Sequence, residues 1–95
     1  QQAAQTRAGE LKSSFSHTRP SGASCFTALT EAGVPYTRAG ENIAYGQSSP
    51  EKVMEGWMNS SGHRANILNS SYTSIGVGCY QGAGGTLYWT QLFTY

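Results

Sequence analysis

The sequence contains no aspartate and few charged residues of any kind. Lysine, arginine and glutamate together make up 12% of its 95 residues, about half of the usual share in globular domains. Six cations against five anions leave a net charge of +1, and the cations are scattered singly along the chain. Because nucleic-acid binding requires clustered cations that neutralise phosphates, we exclude a nucleic-acid partner. No apolar run approaches the ~20 residues of a membrane-spanning helix, so no transmembrane segment is expected.

Cysteine is also scarce, since Cys25 and Cys79 are the only two. Their separation fits neither a metal-binding pair nor a redox motif. A disulfide between them would close a loop of about 50 residues and add about 2–4 kcal/mol of stability. The alternative is two buried thiols. We favour the disulfide, because a chain this short, rich in glycine and serine, has a thin core and is typical of a secreted protein.

The order of the predicted elements indicates one α+β domain over residues 1–95, in which helices pack on an antiparallel sheet. Helices are predicted over residues 1–13, 24–32 and 49–59 from the spacing of their apolar residues. In the last of these, Ser49 is the expected N-cap and the proline after it occupies the first helical position. The run SSGHRANIL that follows predicts a turn with one more turn of helix.

Strands are predicted in two places. Residues 34–46 contain β-type residues interrupted by Gly40, so two extended stretches joined by a turn are expected. Residues 71–80 and 86–95 predict a β-hairpin, joined by the glycine-rich segment 81–85. The bulky hairpin residues are expected to supply much of the core: Ile75, Val77, Tyr88, Trp89, Leu92 and Phe93.

Three polar residues are the best candidates for chemistry: His17, Glu41 and His63. Each lies beside glycine or serine in a segment that reads as a loop or turn, and loops carry function more often than core elements do. The alternative for each is a solvated or structurally satisfied side chain. Spacing alone does not bring the three together.

Four motifs resemble those of the CAP superfamily (cysteine-rich secretory proteins, antigen 5 and pathogenesis-related 1) and occur in that family's order. They are FSHTRPSG, GENIAYG, the run VMEGWMNSSGHRANILNSSYTSIGVGCY, which resembles the bacterial branch, and YWTQLF. Together they cover nearly the whole chain. The resemblance implies an α-β-α sandwich, an antiparallel sheet flanked by helices, with a central cleft. It also implies that the N-terminal segment of the domain is missing from this chain and its first helix is truncated.

The resemblance further implies that His17, Glu41 and His63 line the cleft and can hold a divalent metal, zinc or magnesium. The fourth ligand of the family, a second glutamate, falls on Ser60. Helical geometry puts Ser60 at the edge of the buried face and Glu55 toward solvent, so Glu55 is a poor replacement. The missing carboxylate lowers the affinity for hard cations, and a hydrolytic zinc site would still need a general base.

Three functions follow as hypotheses. We favour a secreted or cell-surface, non-enzymatic domain whose cleft binds an extracellular lipid, peptide, glycan or cell-wall component, with weak metal binding at most. The residues expected to line this cleft are His17, Glu41, Ser60 and His63. The second hypothesis is a metal-dependent hydrolase of peptide or ester bonds that uses the two histidines and Glu41 as ligands. The third is a structural or adhesive module of a larger surface protein.

Overall fold

The computed structural model describes residues 1–95, with four helices and one three-stranded sheet. The helices are α1 (Gln2–Leu11), α2 (Thr27–Glu31), α3 (Pro50–Met58) and α4 (Ser61–Leu68). The strands are β1 (Ala39–Tyr45), β2 (Ser74–Gln81) and β3 (Leu87–Thr94). Both pairings are antiparallel and the order is β1-β3-β2, so the last strand of the chain is the central one. The predicted α+β class with an antiparallel sheet is confirmed.

The strand register assigns the side chains to two faces of the sheet. Leu92 of β3 pairs with Glu41 on one side and Gly76 on the other, so these residues share a face. Helices α1 and α2 pack on this face, which we name the α1 face. Trp89 lies on the opposite face and packs against Trp57 of α3, which we name the α3 face. The two helical layers and the sheet between them form the sandwich.

The core of β2 differs from the prediction. Ile75 and Val77 are 55% and 40% exposed, because the helices of the α3 face leave the outer part of β2 uncovered. On the α1 face this strand offers Gly76 and Gly78, both buried. A Cβ atom at Gly78 would overlap the backbone carbonyl of Ala4, so the backbone of α1 lies directly on the strand. The other predicted core residues are buried or half-buried: Tyr88, Trp89, Leu92 and Phe93.

The sequence signals predicted the start of α3 correctly. The bounds of α2, β1 and α4 differ from the prediction. The Ser49 side chain accepts a hydrogen bond from the Lys52 amide, so α3 begins as predicted. Helix α2 begins after Phe26 rather than at Ser24, whose hydroxyl instead accepts from the Phe26 amide in a turn. Strand β1 runs unbroken through Gly40, where the missing side chain leaves room for the Tyr72 hydroxyl. Helix α4 has eight residues where a single turn was expected.

Strand β2 lies at one edge of the sheet. Two glutamine side chains, one just before α1 and one within it, cover the outer side of this strand. The Gln1 amide donates to the Val77 carbonyl and accepts from the Val77 amide. Gln5 makes the same pair of hydrogen bonds with Cys79. Each side-chain amide therefore bonds β2 in the way that a neighbouring strand would.

The opposite edge, β1, is covered from the α3 face. The Trp57 indole donates to the Ile43 carbonyl at 3.2 Å, and the Asn66 amide donates to the Glu41 carbonyl at 3.4 Å. These bonds tie α3 and α4 to β1. They also fix the part of β1 that carries the candidate site.

Candidate functional site

Glu41 is the centre of the candidate site. Its side chain, on the α1 face of β1, is 1% exposed. The fully buried Arg7 of α1 donates to both carboxylate oxygens, with Nε 2.7 Å from Oε2 and Nη2 3.1 Å from Oε1. Its other N–H groups bind the Glu10 carboxylate at 3.0 Å and the Ser16 carbonyl at 2.6 Å. Burial opposes the charge of Arg7, but hydrogen bonding and the charge of Glu41, supported by Glu10, outweigh it and raise its pKa.

His17 is the exposed member of the site. Its Nδ1 lies 2.8 Å from Glu41 Oε1, while the side chain is 58% exposed. The loop that carries it is anchored by a hydrogen bond from the Cys25 amide to the His17 carbonyl and by a bridge between Thr18 and Ser24. When Nδ1 carries the proton and donates it to the carboxylate, Nε2 remains an acceptor for a ligand.

Cys25 adds a thiol to the same cluster. The potential ligand atoms of His17, Cys25 and Glu41 all lie within 4.8 Å of one another. Burial, reinforced by the charge of Glu41, raises the pKa of the Cys25 thiol to about 12. The thiol is therefore uncharged at neutral pH and is a poor nucleophile.

The predicted disulfide is wrong, because Cys25 and Cys79 are both free. Cys25 lies beside Glu41 on the α1 face, whereas Cys79 packs with Trp57 and Trp89 on the α3 face. The sheet separates the two thiols. Burial also raises the pKa of Cys79.

Arg19 extends the charge network behind the site. Its guanidinium lies 2.7 Å from the Glu10 carboxylate and 2.8 Å from that of Glu31, and it also donates to the Thr27 hydroxyl. The hydrogen bonds to Glu10 and Glu31 raise the pKa of Arg19. Burial opposes the charge of Glu10, but Arg19 and Arg7 outweigh it and lower its pKa. The network links α1, α2 and the loop between them, so the charges around Glu41 are paired within the fold.

His63 lies in α4 and is not part of this cluster, and Ser60 immediately precedes the helix. Ser60 is the N-cap residue of α4, although its hydroxyl makes no capping bond. The His63 side chain is half-buried and is not among the ligand atoms that surround Glu41. The structure therefore brings His17 and Glu41 together and adds Cys25. Glu55 is exposed, as the helical geometry predicted.

Asn42, the neighbour of Glu41, holds α4 against the sheet. It is fully buried, and its amide donates to the His63 carbonyl at 3.0 Å and to Gln91 at 3.2 Å. Its carbonyl oxygen accepts from the Asn66 amide at 2.9 Å. Because side chains alternate along a strand, Glu41 points to the α1 face and Asn42 to the α3 face. The Glu-Asn pair therefore connects both helical layers.

Arg7 was not among the predicted site residues, although the sequence contains a signal for its burial. Ala4, Ala8 and Leu11 form the apolar face of α1, and Arg7 shares that face at helical spacing. Arginine is rarely buried unless it is paired. An arginine on an apolar helix face therefore predicts a buried carboxylate opposite it.

A row of exposed and half-buried aromatic rings lies on the same face of the sheet as Glu41. Tyr45, Tyr88 and Tyr80 are neighbours across the three strands on the α1 face. Tyr45 is 55% exposed, stacks on Tyr88 at 6.1 Å and meets Phe15 edge-on at 4.7 Å between ring centroids. The ammonium of Lys12 lies 3.2 Å from the Tyr80 hydroxyl and 5.1 Å from its ring centroid. We name these five residues the aromatic ledge.

The family model of the cysteine-rich secretory protein family, CAP, matches residues 1–93. The chain belongs to the CAP family. An extracellular protein containing an SCP domain from Bacillus anthracis has a TM-score of 0.87 and 35% identity, over 97% of this chain and 30% of that chain. An outer surface protein of Borrelia burgdorferi shares the fold, with a TM-score of 0.80 and 19% identity over 99% of this chain and 74% of that one.

Two Bacillus subtilis proteins are also related to this CAP domain. The uncharacterized protein YkwD is 49% identical over 82 residues, which are 86% of this chain and 31% of YkwD. The uncharacterized membrane protein YlbC is 47% identical over 64 residues, 67% of this chain and 18% of YlbC. The chain thus spans less than a third of these curated relatives. None of its own helices is long and apolar enough to cross a membrane.

The CAP resemblance implies a metal at His17, Glu41 and His63, but the donor set does not fit one as it stands. Both Glu41 oxygens accept from Arg7, and Oε1 also faces His17 Nδ1. A metal ion bound there would lie beside a buried guanidinium, which repels it. Ser60 supplies no compensating negative charge.

Proposed function

We propose that this CAP domain is a secreted or cell-surface, non-enzymatic binding domain whose ligand is a glycan chain of the cell wall. The observation that carries the proposal is the aromatic ledge, a row of exposed and half-buried rings on the same face of the sheet as Glu41. Phe15 lies two residues before His17 and meets the Tyr45 ring edge-on, so the loop that carries His17 also contributes a ring to the ledge. Glu41 and Tyr45 are four residues apart, about 13 Å along an extended strand.

The chemistry of this surface suits a sugar chain. Sugar rings present C–H groups that pack on aromatic faces, and hydroxyl groups at their rims. The tyrosine hydroxyls of the ledge and the His17 imidazole are both donors and acceptors, and the Lys12 ammonium adds a further donor. The charged groups nearest the site are paired with one another within the fold, as Arg7 is with Glu41 and Arg19 with Glu10. A neutral, hydroxyl-rich ligand would therefore find aromatic faces for its C–H groups and hydrogen-bonding partners for its hydroxyl groups.

The charge network favours binding over catalysis. The alternative of a metal-dependent hydrolase requires Glu41 as a ligand, and Arg7 occupies both of its oxygens. The Cys25 thiol, with a pKa of about 12, is not an activated nucleophile. An extracellular location is supported by the Bacillus anthracis relative, which is described as extracellular. The adhesive-module alternative concerns a longer protein and stays a prediction.

The test is co-sedimentation of the purified domain with insoluble bacterial cell-wall glycan, compared between the wild type and the double variant F15A/Y45A. Loss of two stacking rings should weaken binding by about 10-fold or more. The matched control is Tyr36→Ala, because Tyr36 is 37% exposed and packs near Phe26, away from the ledge.

Three results would contradict this proposal. One is a wild-type domain that does not sediment with the glycan, and another is an equal loss of binding in Y36A. The third is binding to neutral phospholipid vesicles or to an unstructured peptide with no binding to glycan, which would assign the ledge to a lipid or a peptide. Circular dichroism of each variant, measured alongside, verifies that the fold is intact.

A further inference from the structure

We infer that Arg7 is the resident cation of this domain, and that its guanidinium masks a latent metal site formed by His17, Cys25 and Glu41. The inference is independent of the glycan proposal, since it concerns the buried side of the site. The family resemblance implies that Glu41 is a metal ligand, whereas in the structure Glu41 is paired with Arg7.

The guanidinium engages the lone pairs that a metal would need. Arg7 binds Glu41 in the two-pronged geometry of an arginine–carboxylate pair, at 2.7 and 3.1 Å. The same Oε1 that accepts from Arg7 also faces His17 Nδ1 at 2.8 Å. Oε1 thus has two partners and Oε2 has one, and the guanidinium holds its positive charge against both oxygens.

Arg7 is held in place and cannot readily swing aside. It is fully buried, and its remaining N–H groups bind Glu10 and the Ser16 carbonyl. Moving it would leave the buried Glu41 carboxylate without a counter-charge, which is strongly unfavourable. A divalent cation that approached Glu41 would in turn meet a fixed positive charge within a few ångströms. Arg7 thus supplies, beside Glu41, the positive charge that a bound metal ion would otherwise supply.

The remaining groups form a usable donor set once Arg7 is removed. The imidazole, thiol and carboxylate atoms lie within 4.8 Å of one another. Nitrogen, sulfur and oxygen donors of these types bind Zn²⁺ and Co²⁺, and three protein ligands with one open position are a known arrangement. The proposed site thus uses Cys25, which was predicted to form a disulfide, and does not use His63.

The test compares zinc binding by the wild type, R7M and R7M/C25S, using equilibrium dialysis of protein stripped with chelator. We expect R7M to bind one zinc per chain at least about 100-fold more tightly than the wild type, because the repelling charge is gone. The C25S change should abolish that gain. With Co²⁺, R7M should show a near-ultraviolet thiolate-to-metal band that R7M/C25S lacks. R19M is the matched control, because it removes an arginine that does not touch Glu41, and it should gain no zinc.

Zinc binding by the wild type at Glu41 would overturn the inference. If the wild type binds stoichiometric zinc, and E41Q abolishes that binding, then Arg7 is not a substitute for a metal. A folded R7M without enhanced zinc binding would equally refute the latent site. Should R7M be unfolded without metal, recovery of its helical circular dichroism on adding zinc supports the site, since metal binding then drives folding. Failure to recover counts against it.

Discussion

The two faces of the sheet differ in how their helices approach it. On the α3 face, Trp57 and Trp89 fill the interface with large apolar side chains. On the α1 face, the helix backbone lies against Gly78, and the inward side chains include the buried Arg7. Close approach on the α1 face is what brings Arg7 within reach of Glu41. The candidate site therefore depends on the absence of side chains on β2 as much as on the charged groups themselves.

The largest expected loss of stability follows from removing a large side chain on the α3 face. Trp57→Ala should lower the free energy of unfolding by about 4 kcal/mol, through lost burial and a cavity between helix and sheet. The indole also donates to the Ile43 carbonyl, which would lose its partner. Urea denaturation measures the change. Trp57→Phe should restore part of the packing but not the hydrogen bond, so a variant as stable as the wild type would contradict this account.

On the α1 face, by contrast, adding a side chain should destabilise the fold. Gly78→Ala should lower the free energy of unfolding by about 2 kcal/mol or more, because its Cβ would overlap the Ala4 backbone. Gly84→Ala is the control, since a Cβ at Gly84 meets nothing within 4 Å. The same denaturation experiment applies. Equal stabilities of the two variants would show that α1 does not rest on the strand.

The α1 face should also be distinguished by its response to alkaline pH, with an effect per pH unit that is smaller than the two changes above. In the folded state the pKa of Cys25 is raised from 9.0 to about 12, so the folded protein holds this proton more tightly than the unfolded chain. The stability that this contributes is complete below pH 9 and declines as the pH rises toward 12. The wild type should thus lose up to about 1.4 kcal/mol per pH unit more than C25A over this interval.

The measurement is the difference in unfolding free energy between the wild type and C25A, taken in steps from pH 8 upward. Taking the difference removes the contributions of the tyrosines and of Cys79, whose raised pKa acts in the same direction. Parallel pH profiles would argue against a buried Cys25 thiol beside Glu41.

Much of the fold could be predicted, because it rests on local patterns. The Ser49–Pro50 signal for α3 concerns neighbouring residues, so it needs no knowledge of the tertiary structure. The closing hairpin follows from β-branched and aromatic runs that flank a glycine-rich turn. The pairing of His17 with Glu41 came from the family resemblance and not from spacing.

The remaining features depend on which elements meet in space. Ile75 looks like a core residue, and it is exposed only because no helix covers that part of β2. The disulfide failed because the sheet lies between Cys25 and Cys79, which a count of residues between them does not reveal. Arg7 pairs with Glu41 across a sequence separation of 34 residues. Only the packing of α1 on β1 creates that contact.

The glutamine side chains that cover β2 have a consequence for how copies of this domain meet. An open edge strand is a template on which a strand of another molecule can add, and repeated addition is how cross-β fibrils grow. Gln1 and Gln5 already occupy the backbone groups of Val77 and Cys79. An approaching chain would first have to displace them. Two side-chain amides thereby protect a glycine-rich edge from strand exchange and self-assembly.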